Sequence, residues 1–248
     1  MAEFSIEIAG CTARVESLFE STRDYCRAYL TEKAPECRIA VSREDLGFEQ
    51  AEADREAEEE GLRKRVFSDP FLERAAIQRK LAEYLLGRDV LLLHGSAVAV
   101  DGQGYLFTAK CGTGKSTHTR FWREVFGQRA VMINDDKPFL RFTSEGVLAC
   151  GAPWSGKHGL DTNITVPLKG ICILERGQRD KIERILGSDA LPMLRHQSRA
   201  PLDENCMAGY LCLVDRLAQT VPVWRMECTK DPNAARVAHA AMSGKTGE

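Results

Sequence analysis

Residues 109–117 hold the densest set of groups that can bind an anion, and they read Ala-Lys-Cys-Gly-Thr-Gly-Lys-Ser-Thr. Gly112 and Gly114 carry no side chain, so the backbone N–H groups beside them can close on a phosphate. Lys115 adds a positive charge, and the hydroxyl of Ser116 is a ligand for Mg²⁺. This spacing predicts a nucleotide-binding loop for ATP and Mg²⁺, with the contact residues Cys111, Gly112, Thr113, Gly114, Lys115, Ser116 and Thr117.

The sequence on both sides of this loop has the pattern that such a site requires. Residues 105–108 predict a strand and residues 116–126 predict a helix, whose positive N-terminal end would face the same anion. Ala109 occupies the first position of the usual pattern Gly-x-x-x-x-Gly-Lys-Ser/Thr. A plain turn made by two glycines is the alternative, and the flanking strand and helix favour the phosphate site.

Two adjacent carboxylates, Asp135 and Asp136, follow a short apolar strand predicted at residues 130–134. One carboxylate can ligate Mg²⁺, and the other can accept the proton of an attacking hydroxyl. Because like charges repel, we expect the pKa of one of the two to be raised unless a metal offsets the repulsion. An Asp-Asp turn that caps nearby N–H groups is the alternative. Beside the glycine loop, the pair favours phosphoryl transfer.

A histidine, His94, ends an apolar run that begins at residue 90. By itself it would be interpreted as a core residue. The order His94-Gly95-Ser96-Ala97-Val98, then the glycine loop, then Asn134-Asp135-Asp136-Lys137 resembles the catalytic domain of HPr kinase/phosphorylase. That family shares its P-loop core with phosphoenolpyruvate carboxykinase. The resemblance covers residues 90–140 and fades on either side.

The resemblance implies an α/β fold of the HPr kinase and phosphoenolpyruvate carboxykinase type, with a mixed sheet flanked by helices. The residue patterns before it add a small N-terminal α/β lobe. It implies that Asp135 is the general base and that Asp136 assists with metal or substrate. His94 and Lys115 are then expected at the transferred phosphate, and Mg²⁺ on Ser116 and Asp136. The carboxykinase reaction itself is disfavoured, because those enzymes are much longer chains.

One segment departs from the family's pattern. Where the family has a glycine- and arginine-rich segment that engages its protein substrate, residues 151–163 read Gly-Ala-Pro-Trp-Ser-Gly-Lys-His-Gly-Leu-Asp-Thr-Asn. We expect Trp154, Lys157 and His158 to bind substrate, since polar side chains between glycines suit a substrate loop. For Lys157 and His158 the bound group is either the acceptor or the phosphates. Arg176, after a strand predicted at 170–174, is expected to stabilise transition-state charge. An ordinary polar surface loop is the alternative.

The composition limits the partners and the compartment. The chain of 248 residues has a net charge of −2, which gives no reason to expect nucleic acid or a membrane surface as the main partner. It has no apolar run of membrane-spanning length and no signal-peptide pattern, so we expect a cytoplasmic protein.

Its nine cysteines include no C-x-x-C pair. Cys111, inside the loop, is either an oxidisable thiol or a space-filling residue.

We expect two domains, a small N-terminal α/β lobe at residues 1–66 and a P-loop kinase-like domain at 67–248. In the lobe, the patterns predict strands at 4–9, 12–17 and 38–42 and a helix at 18–30. The acidic stretch 44–60 is an interaction surface, a solvated helix or a mobile loop. Further along, they predict helices at 69–87, 203–218 and 233–242 and strands at 90–100 and 221–228.

These features together predict a kinase that transfers the γ-phosphate of ATP to a hydroxyl. The acceptor is a serine-type small molecule or a serine of a peptide or protein. The alternative is a nucleotide-binding sensor or interaction protein with little transfer activity. Asp135 discriminates between them, because a sensor needs Lys115 and Ser116 but has little use for a spare base.

Overall fold

The computed structural model describes residues 2–59, 61 and 63–244. The chain divides into two compact units, Met1–Tyr84 and Leu85–Glu248. This division falls inside a long helix, α3 (Asp69–Leu86). The domain boundary expected at residue 66 lies before that helix, and the domain assignment stays a prediction.

The first unit is built on a three-stranded sheet. Strands β1 (Ala2–Ile8) and β2 (Cys11–Ser17) are antiparallel, and β3 (Cys37–Ala40) runs parallel to β2. The predicted helix 18–30 is shorter than expected: α1 (Glu20–Tyr25) ends at Cys26 and a 3₁₀ turn follows it. The acidic stretch forms most of α2 (Arg43–Glu59), so among the described residues it is a helix rather than a loop.

The second unit is a mixed sheet flanked by helices, as the sequence predicts. In chain order its strands are β4 (Val90–Leu92), β5 (Ser96–Val100), β6 (Gln103–Thr108), β7 (Ala130–Asn134), β8 (Phe139–Thr143), β9 (Gly146–Cys150), β10 (Thr165–Arg176), β11 (Lys181–Ile185) and β12 (Val223–Cys228). Across the sheet they follow the order β4-β8-β9-β10-β6-β5-β7, with β12 beside β10 and β11 beside β12. Strand β10 runs parallel to β6 and β12, and the other pairs are antiparallel.

Helices of this unit cover two apolar faces of the sheet. The helices are α4 (Lys115–Phe126), α5 (Gly187–Gln197), α6 (Met207–Thr220) and α7 (Asn233–Ser243). Successive residues of a strand point to opposite faces. Leu106 therefore joins the core with Leu213 and Leu217 of α6, whereas Phe107 joins the core with Trp122 of α4 and Ala235 of α7.

The single strand expected at 90–100 is two strands with different neighbours. Strand β4 pairs with β8, whereas β5 pairs with β6 and β7. The two strands are separated at Gly95, whose backbone N–H donates to the Asp136 carbonyl at 2.8 Å. A Cβ atom at Gly95 would come within 2.9 Å of the Phe107 carbonyl oxygen, so the close approach of the chain to β6 at this position requires glycine. An apolar run carries no signal for such a change of partner.

No helix in the described part of the chain is both long and apolar enough to cross a membrane.

Candidate functional site

The glycine loop joins the end of β6 to the start of α4, as the sequence predicts. Gly112 has φ +71° and Gly114 has φ +123°, conformations that side chains strongly disfavour. Ala109 is fully buried in the apolar core beneath the loop. The φ angle of Ala109 is not positive, so its backbone conformation is one that any residue can adopt. The first position of the loop therefore needs no glycine in this chain, which accounts for the departure from the usual pattern.

Polar contacts hold this loop in place. Arg176, at the end of β10, donates from Nη2 to the Gly112 carbonyl oxygen at 2.6 Å. The Lys115 ammonium lies 3.3 Å from the Ala109 carbonyl oxygen. The sequence predicts that Arg176 stabilises transition-state charge, whereas the structure places it on the loop backbone. There it braces the loop against the neighbouring parallel strand.

The two carboxylates leave β7 in a turn organised by Asn134. Its Oδ1 atom accepts the backbone N–H groups of Asp136 at 2.8 Å and Lys137 at 2.6 Å. Its Nδ2 atom donates to the Ala152 carbonyl at 2.7 Å. Asn134 is fully buried. Asn134, rather than either aspartate, caps these N–H groups, and the turn that it makes orients both carboxylates.

Asp135 is held by hydroxyl groups on two neighbouring elements. Ser96 of β5 donates to Asp135 Oδ1 at 2.8 Å, and the Ser96 and Thr119 hydroxyls lie 2.7 Å apart. Thr119 belongs to α4, the helix that carries Lys115 and Ser116. This chain of hydrogen bonds fixes the position of Asp135 relative to the glycine loop.

Asp136 has a different partner from Asp135, because it pairs with His94. His94 Nε2 lies 3.3 Å from Asp136 Oδ1. Burial alone would raise the pKa of the Asp136 carboxyl, but the hydrogen bond from His94 and the charges of Lys137 and Lys115 outweigh it and leave this pKa below its ordinary value. The pKa of Asp136 is therefore not raised, as repulsion between two carboxylates would predict, because the neighbouring positive charges favour its ionised form.

The segment 151–163 runs along β7 and reaches the carboxylates. The Leu160 carbonyl accepts the N–H of Asp135 at 3.0 Å, and Thr162 donates its N–H to the Ile133 carbonyl at 3.2 Å. A Cβ atom at Gly156 would lie 3.6 Å from Asp135 Oδ2. Gly156 thus brings the backbone of this segment against the carboxylate.

These elements enclose a cleft of about 710 Å³ in the second unit. Its lining from the loop and α4 consists of Gly112, Gly114, Lys115, Ser116, Thr117, Arg120 and Arg123. Its lining from the other elements consists of His94, Asp135, Asp136, Lys157, His158 and Leu160. A volume of this order suits a small ligand such as a nucleotide.

Ten of the fourteen residues singled out in the sequence line the cleft; the exceptions are Cys111, Thr113, Trp154 and Arg176. Trp154 is buried and packs its ring against Phe139, with centroids 6.3 Å apart. It and Arg176 are outside the described lining of the cleft, whereas Lys157 and His158 belong to it. Within the loop, Cys111 is exposed and forms no disulfide.

Sequence reasoning missed five residues of this site. Ser96, Thr119 and Asn134 hold the carboxylates, and Arg120 and Arg123 line the cleft. The two arginines could have been found, because they follow Ser116 at helical spacing. Ser96 and Thr119 leave no such signal, since their partners are distant in the chain. Asn134 bonds to N–H groups two and three residues ahead, a local turn that asparagine favours and that the sequence could have indicated.

The described residues hold no cluster of three or more His, Cys, Asp or Glu side chains that could bind a metal by themselves. One hydroxyl and one carboxylate, those of Ser116 and Asp136, do line the cleft together. That set suits Mg²⁺, which is commonly bound by one or two protein oxygens together with phosphate oxygens and water.

One solved structure shows a distant likeness to this chain. No protein-family model and no curated protein matches the chain. Among solved structures, the HPr(Ser) kinase/phosphatase from Coxiella burnetii is similar, with a TM-score of 0.40 and 10% identity over 63% of this chain and 99% of that chain. The relationship in structure is distant at these values, and the residues of the cleft carry the functional assignment.

Proposed function

We propose that this protein is an ATP-dependent kinase that transfers the γ-phosphate to a hydroxyl acceptor. The acceptor is a serine-type small molecule or a serine of a peptide or protein. The observation that carries the proposal is the position of Asp135, which lines the same cleft as Lys115 and Ser116 and is tied to α4 through Ser96 and Thr119. A carboxylate held beside a phosphate loop is what a hydroxyl nucleophile requires.

Each residue has a distinct role in this proposal. The backbone N–H groups of the loop and the Lys115 ammonium hold the phosphates. Ser116 and Asp136 hold Mg²⁺, which supplies neutralising charge at the phosphates when bound. Asp135 takes the proton of the acceptor hydroxyl as its oxygen bonds to the γ-phosphorus, and the bond to the bridging oxygen of ADP breaks. His94 keeps Asp136 ionised and oriented.

Replacing Asp135 by Asn tests the assignment. Asn keeps the shape and can still bond to Ser96, but it cannot take a proton. We expect transfer from γ-labelled ATP to fall by about 10²-fold or more, the usual contribution of a general base. Nucleotide affinity is expected to stay within a few-fold of that of the unaltered protein. Transfer is measured against a panel of hydroxyl metabolites and serine peptides, with Lys115→Ala as the blank.

Asp215→Asn provides the matched control, because this exposed aspartate pairs with Arg195 outside the described lining of the cleft. It should leave transfer unchanged. Equal transfer by Asp135→Asn and the unaltered protein would contradict the base assignment. Tight binding of ATP without labelling of any acceptor would favour the sensor instead.

A further inference from the structure

The face of α4 that carries Ser116 continues as a row of arginines. Ser116, Arg120 and Arg123 are spaced i, i+4 and i+7, so they lie on one side of the helix. At a rise of about 1.5 Å per residue, the two arginines lie about 6 and 10 Å beyond Ser116 along the axis. Both line the cleft. The positively charged side of the cleft, formed by Lys115, Arg120 and Arg123, therefore extends well past the loop that would hold the nucleotide phosphates.

Arg123 has a nitrogen that lacks a partner. Its Nε atom is buried from solvent and has no hydrogen-bond acceptor among the described residues. A buried guanidinium N–H without an acceptor is unfavourable, and Nε together with a terminal nitrogen forms a fork that fits a carboxylate or a phosphate. Other atoms of Arg123 line the cleft, so a rotation of this side chain would bring Nε to an anion bound there.

The carboxylates of the cleft are committed elsewhere. Asp135 bonds to Ser96 and Asp136 pairs with His94. Arg120 lies 3.6 Å from Glu124, with both side chains about half exposed, and such surface pairs are weak. Lys157 and His158 also line the cleft, from the segment that covers Asp135. The cations beyond the loop therefore exceed the carboxylates available to them.

We infer that Arg123 and Arg120 form a subsite for an anionic group, a carboxylate or phosphate, carried by the phosphate acceptor. The acceptor is then a hydroxyl compound that is itself an anion. The assignment of this anion to the acceptor rests on the proposed kinase function, whereas the anion subsite does not.

Inorganic phosphate tests the subsite without any transfer reaction. Binding is measured by calorimetry in a Lys115→Ala background, where the loop site is weakened. We expect phosphate to bind there with one site, and Arg123→Gln to weaken that binding by about tenfold or more, since a charged hydrogen-bonded pair is lost. Arg120→Gln is the second variant, should Arg123→Gln not fold. Arg129→Gln, which removes an exposed pair with Asp101, is the matched control.

Failure of phosphate to bind in the Lys115→Ala background would overturn the subsite. Equal binding with and without Arg123→Gln, or loss of binding in the Arg129→Gln control as well, would also overturn it. Arg123→Lys should keep part of the binding, because it keeps the charge and loses the fork.

Matched acceptor pairs test whether the acceptor uses the subsite. The pairs are glycerate against glycerol, serine against serinamide, and a peptide ending in serine as free acid against its amide; phosphorylated hydroxyl compounds form the phosphate arm. We expect the anionic member to be preferred at least tenfold in kcat/KM, and Arg123→Gln to remove the preference while the Kd for ATP stays unchanged. Equal use of both members, or loss of ATP binding in Arg123→Gln, would overturn the inference.

Phosphate binding that depends on Arg123, without transfer to any acceptor, would overturn the kinase assignment and the acceptor's use of the subsite. It would leave the anion subsite standing.

Discussion

Asp135 and Asp136 are adjacent in the chain, yet they hold different partners. Asp135 is buried and accepts a hydrogen bond from a serine hydroxyl, whereas Asp136 pairs with a histidine. A base that takes a proton should not be locked in a salt bridge, and a metal ligand should stay ionised. The partners thus divide the two roles in the way that the proposed reaction needs.

His118 gives the folded protein a defined sensitivity to acid. It is buried in α4 against the ring of Phe107, and its Nε2 atom accepts the indole N–H of Trp122 at 3.1 Å, which requires that nitrogen to be unprotonated. Burial lowers the pKa of His118 from 6.5 to about 4, against a small opposing effect of the Asp180 charge. The unfolded chain therefore binds a proton between these pH values that the folded protein does not.

Because its pKa is lowered by folding, we expect His118 to contribute stability that is fully present above pH 6.5 and is lost as the pH falls to about 4. The contribution is about 3 kcal/mol, since each tenfold change in proton affinity corresponds to about 1.4 kcal/mol. His118→Gln keeps an acceptor for Trp122 and removes the titration. Its free energy of unfolding, measured by denaturant titration at several pH values, should fall less steeply with acid than that of the unaltered protein. Parallel curves would show that His118 does not titrate in this range.

At the scale of elements, the join between β6 and α4 depends on glycine backbone conformation rather than on space. At Gly114 an added Cβ atom would meet nothing within 4 Å, but the φ of +123° is strained for any other residue. Gly209 offers the opposite case, because it lies inside α6 with open space and no positive φ. The same substitution therefore has opposite expected effects at the two positions.

We expect Gly114→Ala to destabilise the protein by about 1–3 kcal/mol or to force the loop into another conformation, and in either case to weaken ATP binding. Gly209→Ala should instead raise the free energy of unfolding by about 0.5–1 kcal/mol, since alanine is the better helix former. Denaturant unfolding and ATP titration of both variants check the pair. A Gly114→Ala protein that binds ATP as tightly as the unaltered one would contradict a role for this glycine in holding phosphate.

At the scale of the whole molecule, all the described residues that line the cleft belong to the second compact unit. Anything that binds there stabilises that unit by mass action. Binding should therefore be visible in unfolding experiments even before an acceptor is known.

With Mg²⁺ and ATP at about 100 times the dissociation constant, we expect the second unit to gain about 2.7 kcal/mol. Lys115→Ala should gain much less, because it loses the charge that meets the phosphates. Where thermal unfolding shows two transitions, only one should move with nucleotide. Equal stabilisation of the unaltered protein and of Lys115→Ala would place the nucleotide outside this cleft.

The features that the sequence predicts well are local ones. The strand, loop and helix around Lys115 follow from glycine spacing and from periodicity within a short window, and so does the strand that ends before Asp135. The hairpin of β8 and β9 was missed because its connecting residues, Ser144 and Glu145, are not one of the Asn-Gly or Asp-Gly pairs that mark a two-residue hairpin. Helix α5 was missed because it contains Pro192, which normally marks an end or a break.

The sequence by itself determined which groups can bind phosphate and take a proton, since those properties belong to residue types and to neighbours in the chain. Only the tertiary structure decided what those groups touch. It set Ser96 against Asp135, moved Arg176 onto the loop backbone, buried Trp154 against Phe139, and turned Arg120 and Arg123 into the cleft. Such pairings depend on which strands lie side by side and on which helix face is covered. Distant parts of the chain settle both through packing of the whole core, so no local pattern records them.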